Sequence, residues 1–210
     1  GKLLRALMEL FAIVATINNG ADKGIKTVRL FLKQQLSLDD VDSYLEEFED
    51  FFQKHMGNPK KKKRTSVNHS VKGLLICQQI NEEITQKQKL FILVRLLEFI
   101  AAGEAITEDE LDFVETIALE FNFSEIEFKH LKAYVTEENH LSSDNANTLL
   151  LSPNDMSDLK EGHHLKVPGL KGVIIIFKVS SQDSYLIKYI GEENILLNGF
   201  PMERNLVYPF

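Results

Sequence analysis

The residues able to do chemistry are of kinds that combine poorly at the spacings this chain gives them. Of six histidines, His55, His69, His130, His140, His163 and His164, no pair has the i, i+4 spacing that puts two imidazoles on one helix face to hold zinc. His163 and His164 are adjacent, so on a strand they would point to opposite faces. The one cysteine, Cys77, has no companion for a disulfide or a zinc knuckle. It lies among Leu74, Leu75, Ile76 and Ile80, which predicts a buried, unreactive thiol, and a single cysteine suits a reducing compartment. Gly20-Ala21-Asp22-Lys23-Gly24-Ile25 has two glycines and a lysine without the spacing of a Walker or dinucleotide-binding loop, and reads as a loop that lets the chain turn.

Carboxylates are plentiful at Glu46-Glu47, Glu49-Asp50, Glu82-Glu83 and Glu108-Asp109-Glu110. Paired carboxylates do acid–base work when their surroundings separate their pKa values. Here they alternate with apolar helix positions, which predicts solvated faces. The feature with the clearest capacity for an interaction is Lys60-Lys61-Lys62-Lys63-Arg64, five consecutive cations that repel one another and should form a solvated loop. An anionic surface is the natural counterpart. A membrane leaflet fits better than nucleic acid, because no aromatics interleave with the lysines to stack bases and the chain as a whole carries a net charge of −7.

These residues must be positioned by helices and a few strands. Leu3, Leu4, Leu7, Leu10, Phe11, Val14 and Ile17 follow helical spacing up to the stop signal Asn18-Asn19-Gly20. A second helix is expected over 25–36. A third, capped by Ser37 with Asp40 three residues on, carries the stripe Val41, Tyr44, Leu45, Phe48, Phe51 and Phe52. After the break Gly57-Asn58-Pro59, helix resumes near Ser66 or Asn68 and runs to about Ile84. The helix over 86–102 is apolar round most of its circumference, which predicts the central, buried helix, although it is too short and too charged to cross a bilayer. Capping boxes at Thr107-x-x-Glu110 and Ser124-x-x-Glu127 start two more helices.

Beyond Glu138 the composition turns to Ser, Asn and Asp, and residues 139–160 read as a linker with some order at Leu149-Leu150-Leu151. Strands are expected at Leu165-Lys166-Val167, over 173–177 and 185–190, and at Ile195-Leu196-Leu197 running into the hairpin signal Asn198-Gly199. The expectation is therefore an α+β chain: a helical domain over 1–138, a linker over 139–160, and a small antiparallel β module over 161–210. A sheet that small must dock on helices or continue.

One pattern occurs twice. Leu10-x-x-Ile13-Val14-x-x-Ile17-x-x-Gly20 matches Leu93-x-x-Leu96-Leu97-x-x-Ile100-x-x-Gly103, and each is followed by a short loop, an isoleucine (Ile25 or Ile106), a helix and a Ser-capped helix at Ser37 or Ser124. Two similar helical units packing round one core are implied. With the segment Phe99-Ile100-Ala101-Ala102-Gly103-Glu104-Ala105-Ile106-Thr107-Glu108-Asp109-Glu110, this arrangement over 2–138 resembles the TerB-like (tellurite-resistance B-like) helical domain. In that family a loop Asp and a Glu of the next helix are the proposed metal ligands. Here the Asp positions hold Asn19 and Ala102, and the first Glu position falls near Arg29. Glu110 alone remains as a candidate metal ligand, and a hard cation needs several converging oxygens. The metal set is not carried over.

Leu196-Leu197-Asn198-Gly199 resembles part of a forkhead-associated-type β-sandwich, without that family's Gly-Arg and Ser-x-x-His phosphothreonine-reading motifs. TerB-like helices, a basic loop and such a β segment together resemble the N-terminal cytosolic part of long bacterial ABC-type ATP-binding proteins. That resemblance implies a non-catalytic regulatory and interaction domain without a cofactor. It would sit in the cytoplasm at the inner face of the membrane, and its partners would be downstream domains of its own polypeptide and an anionic membrane surface. The alternative is a stand-alone TerB-like stress-response module that binds a divalent cation or a protein partner. An enzyme in its own right is a third reading, for which no motif speaks.

Overall fold

The computed structural model describes residues 1–17, 21–35, 38–56, 65–102, 105–137, 146–154 and 163–210. Among the described residues, seven helices occupy the first two thirds of the chain: α1 (Lys2–Ile17), α2 (Ala21–Gln35), α3 (Leu38–Met56), α4 (Thr65–Asn81), α5 (Gln86–Ala101), α6 (Glu108–Glu120) and α7 (Glu125–Thr136). The described strands that follow are β1 (Thr148–Ser152), β2 (His164–Lys166), β3 (Val173–Val179), β4 (Ser184–Ile190), β5 (Leu196–Leu197), β6 (Phe200–Pro201) and β7 (Val207–Pro209). The fold is α+β and mainly helical, as expected. No helix among the described residues is long and apolar enough to cross a membrane.

The chain divides into two compact units, Gly1–Phe128 and Lys129–Phe210. In the first, α5 is buried round most of its circumference, as its composition implies. The element that touches most others is α1, which packs against each of α2, α3, α4, α5 and α6. The unbroken buried stretch Leu10 to Thr16 leaves no polar face in the second half of the helix. Phe11 stacks on Phe99 of α5 at 4.9 Å and meets Phe31 of α2 edge-on at 5.7 Å. The echoed positions Leu10, Ile13 and Val14, and Leu93, Leu96 and Leu97, are all fully buried; their glycines, Gly20 and Gly103, lie outside the described residues.

Caps fix several helix starts. Thr107 and Glu110 form a reciprocal capping box, and Ser124 Oγ accepts from Glu127 N–H. A further box, Thr85 with Gln88, starts α5 and went unread in the sequence although its spacing is the same. Ser37 lies outside the described residues. One expectation is corrected: the stretch from Ala21 to Ile25 belongs to α2 and is not a loop. Gly24 serves close packing there, since a Cβ on it would stand 3.1 Å from Phe48 and 3.3 Å from both Ala15 and Phe99.

In the second unit, the order β2-β1-β3-β4-β7 forms one sheet and β5-β6 a separate hairpin. The linker expected over 139–160 is corrected at Thr148–Ser152, which is an inner strand pairing antiparallel with β3 and parallel with β2. Its three leucines sit in a polar stretch, so average composition hid them, and cross-strand pairing with Ile174, Ile175 and Ile176 rewards extending them. The domain boundary also moves, from 138 to 128. The last turns of α7 belong with the sheet because Tyr134 stacks on Phe177 at 5.1 Å and its hydroxyl donates to Ile175 O at 2.9 Å. The Asn-Gly hairpin forms as expected: Asn198 (φ 52°) and Gly199 (φ 85°) turn the chain so that Leu197 faces Phe200.

The α4–α6 contact tests the packing most directly. A Cβ on Gly73 would lie 2.6 Å from Phe113 Cε2 and 3.1 Å from Ile117 Cδ1. Gly73→Val is expected to destabilise the helical unit by about 1–3 kcal/mol through overpacking, outweighing the small gain in helix propensity. Urea unfolding followed at 222 nm measures it.

Candidate functional site

Four polar constellations are candidates for chemistry, and each is built from side chains that hold an element in place. The first lies along α1. Glu9 Oε1 stands 3.1 Å from Nε2 of the buried His55 near the end of α3. One end of α1 further on, Thr16 Oγ1 donates to Ile13 O at 2.6 Å and lies 3.4 Å from Nε2 of the buried His69 of α4. The hydrogen bond from His55 is the main reason the Glu9 carboxyl is held below its ordinary value of 4.5. Burial, with Lys72 and His55 nearby, holds the His69 imidazole below 6.5. Sequence spacing gave no sign of this grouping, because the two histidines sit on different helices.

The second is Glu110. Its Oε2 takes the N–H of Thr107 at 2.9 Å and the Thr107 hydroxyl at 3.1 Å, and the residue is only 3% exposed. Of the carboxylates expected to face water, Glu110 is therefore buried, because the capping box folds it back over the helix start. Among the described residues no group of three or more His, Cys, Asp or Glu side chains could hold a metal ion. The residues Lys60, Lys61, Lys62, Lys63 and Arg64, expected to touch an anionic surface, lie outside the described residues, as do Gly57, Asn58 and Pro59.

The third is a serine–histidine contact that the sequence did not suggest. Ser152 Oγ, at the end of β1, is 2.9 Å from His164 Nε2 on β2 and 2.9 Å from Asn154 O. A nucleophilic serine needs its proton taken by the imidazole. A backbone carbonyl can only accept, so the hydroxyl proton goes to Asn154 O and His164 Nε2 must itself donate. That orientation is the reverse of an activated nucleophile, and Ser152 is 1% exposed. His163 Nδ1 likewise donates to Thr148 O at 3.2 Å. The two histidines clamp the parallel pair β1–β2 from either end of β1.

The fourth is Lys188, 3% exposed in the middle of β4. Its ammonium donates to Tyr134 O at 2.9 Å and to Val135 O at 3.4 Å, and lies 5.5 Å from the Tyr134 ring centroid. The carbonyls at a helix C-terminus lack intrahelical partners and carry the negative end of the helix dipole, so a buried cation is stabilised there. A signal was available: strand alternation puts Lys188 on the same face as Leu186, an apolar face. Cys77 is buried as expected. Burial first, and Glu120 second, pushes its thiol up to about 12.

Two outcomes follow. Lys188→Met keeps the apolar stem and leaves two helix-end carbonyls without their donor, so it is expected to cost about 1–3 kcal/mol. Tyrosine fluorescence in a urea titration reports it selectively, since four of the five tyrosines (Tyr134, Tyr185, Tyr189 and Tyr208) belong to the second unit. Cys77 is expected to resist thiol reagents at pH 8 and to react only as fast as the helices open; labelling kinetics with and without denaturant measure this.

Compared with protein-family models, curated proteins and solved structures, the chain finds no match in any of the three.

Proposed function

We propose that this chain is a non-catalytic regulatory and interaction domain, of TerB-like helical type with a forkhead-associated-like β segment, from the N-terminal part of a larger membrane-associated ABC-type ATP-binding protein. The observation that carries the non-catalytic part is the use made of the polar groups. Glu110 caps α6, Lys188 caps α7, and His163 and His164 tie β1 to β2. Groups committed to hydrogen bonds that hold the fold are not free to move protons to a substrate. The ABC-type context is supported by the sequence resemblance alone. In this reading the helices and the sheet offer surfaces to other domains of the same polypeptide, and Lys60-Lys61-Lys62-Lys63-Arg64 rests on the acidic inner leaflet.

Each cation near an acidic membrane surface contributes about 1 kcal/mol. The native chain is therefore expected to sediment with vesicles containing about one third phosphatidylserine at low salt, in the regime where polybasic binding operates. It should be released in high salt, and a variant with all five residues changed to Ser should stay in the supernatant. Equal sedimentation of the two versions would sink the membrane contact. Steady turnover of ATP or of model ester substrates by the purified chain would overturn the non-catalytic reading.

A further inference from the structure

The histidines at the end of α3 and the start of α4 both press on α1, and they do so with unlike partners. His55 meets a carboxylate, Glu9, at 3.1 Å. His69 meets a hydroxyl, Thr16, whose own proton is already given to Ile13 O. In that contact His69 Nε2 must therefore be the protonated nitrogen, and an additional proton can enter only at Nδ1. We propose that the His69–Thr16 contact, flanked by the Glu9–His55 pair, is a proton-operated fastening that holds the first turns of α4 on α1 near neutral pH and lets them go in acid.

The surroundings of His69 decide the direction. The ring is buried, at 7% exposure, and burial is the largest influence against a charge on it. Lys72 on its own helix and His55 from α3 are like-charged neighbours of the protonated form. From α6 it faces Asp109, which favours the charge but is exposed and so screened by water. From α1 it faces the uncharged Thr16, and the nearest acid on that helix, Glu9, is engaged by His55 and faced also by Lys54 and Arg5. His69 is the fifth residue of α4, close to the positive end of that helix, where a cation is again disfavoured.

Protons bind the released state more readily than the packed one. The stability that His69 contributes is complete above its ordinary value of 6.5 and is lost as pH falls from there through its folded-state value. Glu9 adds a separate loss in the same direction only below 4.5. The His69→Gln variant separates the His69 response from that of every other titrating group.

Amide hydrogen exchange on the full chain at pH 7.5 and 5.5, corrected for intrinsic exchange, tests this. Protection over residues 69–74 is expected to fall as pH drops, by no more than about tenfold per pH unit, the limit for one proton, while protection in α2 holds. His69→Gln keeps an N–H donor for Thr16 without titrating, and its protection over 69–74 should not change with pH. Constant protection in the native chain, or an equal fall in His69→Gln, would overturn the proposal. Should His69→Gln fail to fold, the NMR titration of the His69 ring in the native chain decides: a midpoint below 6.5 supports the fastening, and one at or above 6.5 overturns it.

Discussion

Helix α1 has no side it can show to water along its second half, and the helical unit is organised round that fact. A helix that is apolar on every face loses stability unless neighbours cover all of them. Five helices do so here: α2, α3, α4, α5 and α6 each pack on α1. Close approach is bought with small residues where the covering helices crowd, at Gly24 beside Phe48, Ala15 and Phe99 and at Gly73 beside Phe113. The aromatic contacts Phe11–Phe99 and Phe11–Phe31 then tie α5 and α2 to the same surface. Polar residues that fall on this interior, Thr16, His55 and His69, survive because each finds a partner: Ile13 O, Glu9 and Thr16.

The second unit meets the same cost with a charge. A lysine buried at 3% exposure would be intolerable in a purely apolar core. Lys188 is stable because the final carbonyls of α7 converge on it, and because the Tyr134 ring offers its face. The Tyr134 hydroxyl returns a hydrogen bond to β3 at Ile175 O. One tyrosine and one lysine thus join a helix end to two adjacent strands, and Ile175 and Lys188 are themselves cross-strand partners. The other sheet face is covered differently, by Met202, Ile195 and Leu197 lying over Ile187 and Tyr189.

Several polar side chains hold secondary structure together: Glu110 caps α6, Lys188 meets the last carbonyls of α7, and Ser152 and His164 meet between β1 and β2. Glu110 and Ser152 make the point: the Glu110 carboxylate accepts from Thr107 N–H, and the Ser152 hydroxyl donates to Asn154 O.

What the sequence determined by itself was local. Helical periodicity, the Thr107 and Ser124 caps and the Asn198-Gly199 turn depend on residues within a few positions of one another, so the helices of the described residues and the hairpin were legible, together with the burial of Cys77. The tertiary structure alone decided three things. It drew Thr148–Ser152 out of an apparent linker into the sheet, since pairing with β3 supplies the hydrogen bonds that a polar flank could not foretell. It gave the centre of the bundle to α1 as well as α5, because which apolar helix is surrounded depends on the arrangement of the others. And it brought Glu9, His55, His69 and Thr16 along one helix from positions spread over sixty residues of chain, a grouping that only packing creates, since it follows no spacing along the sequence.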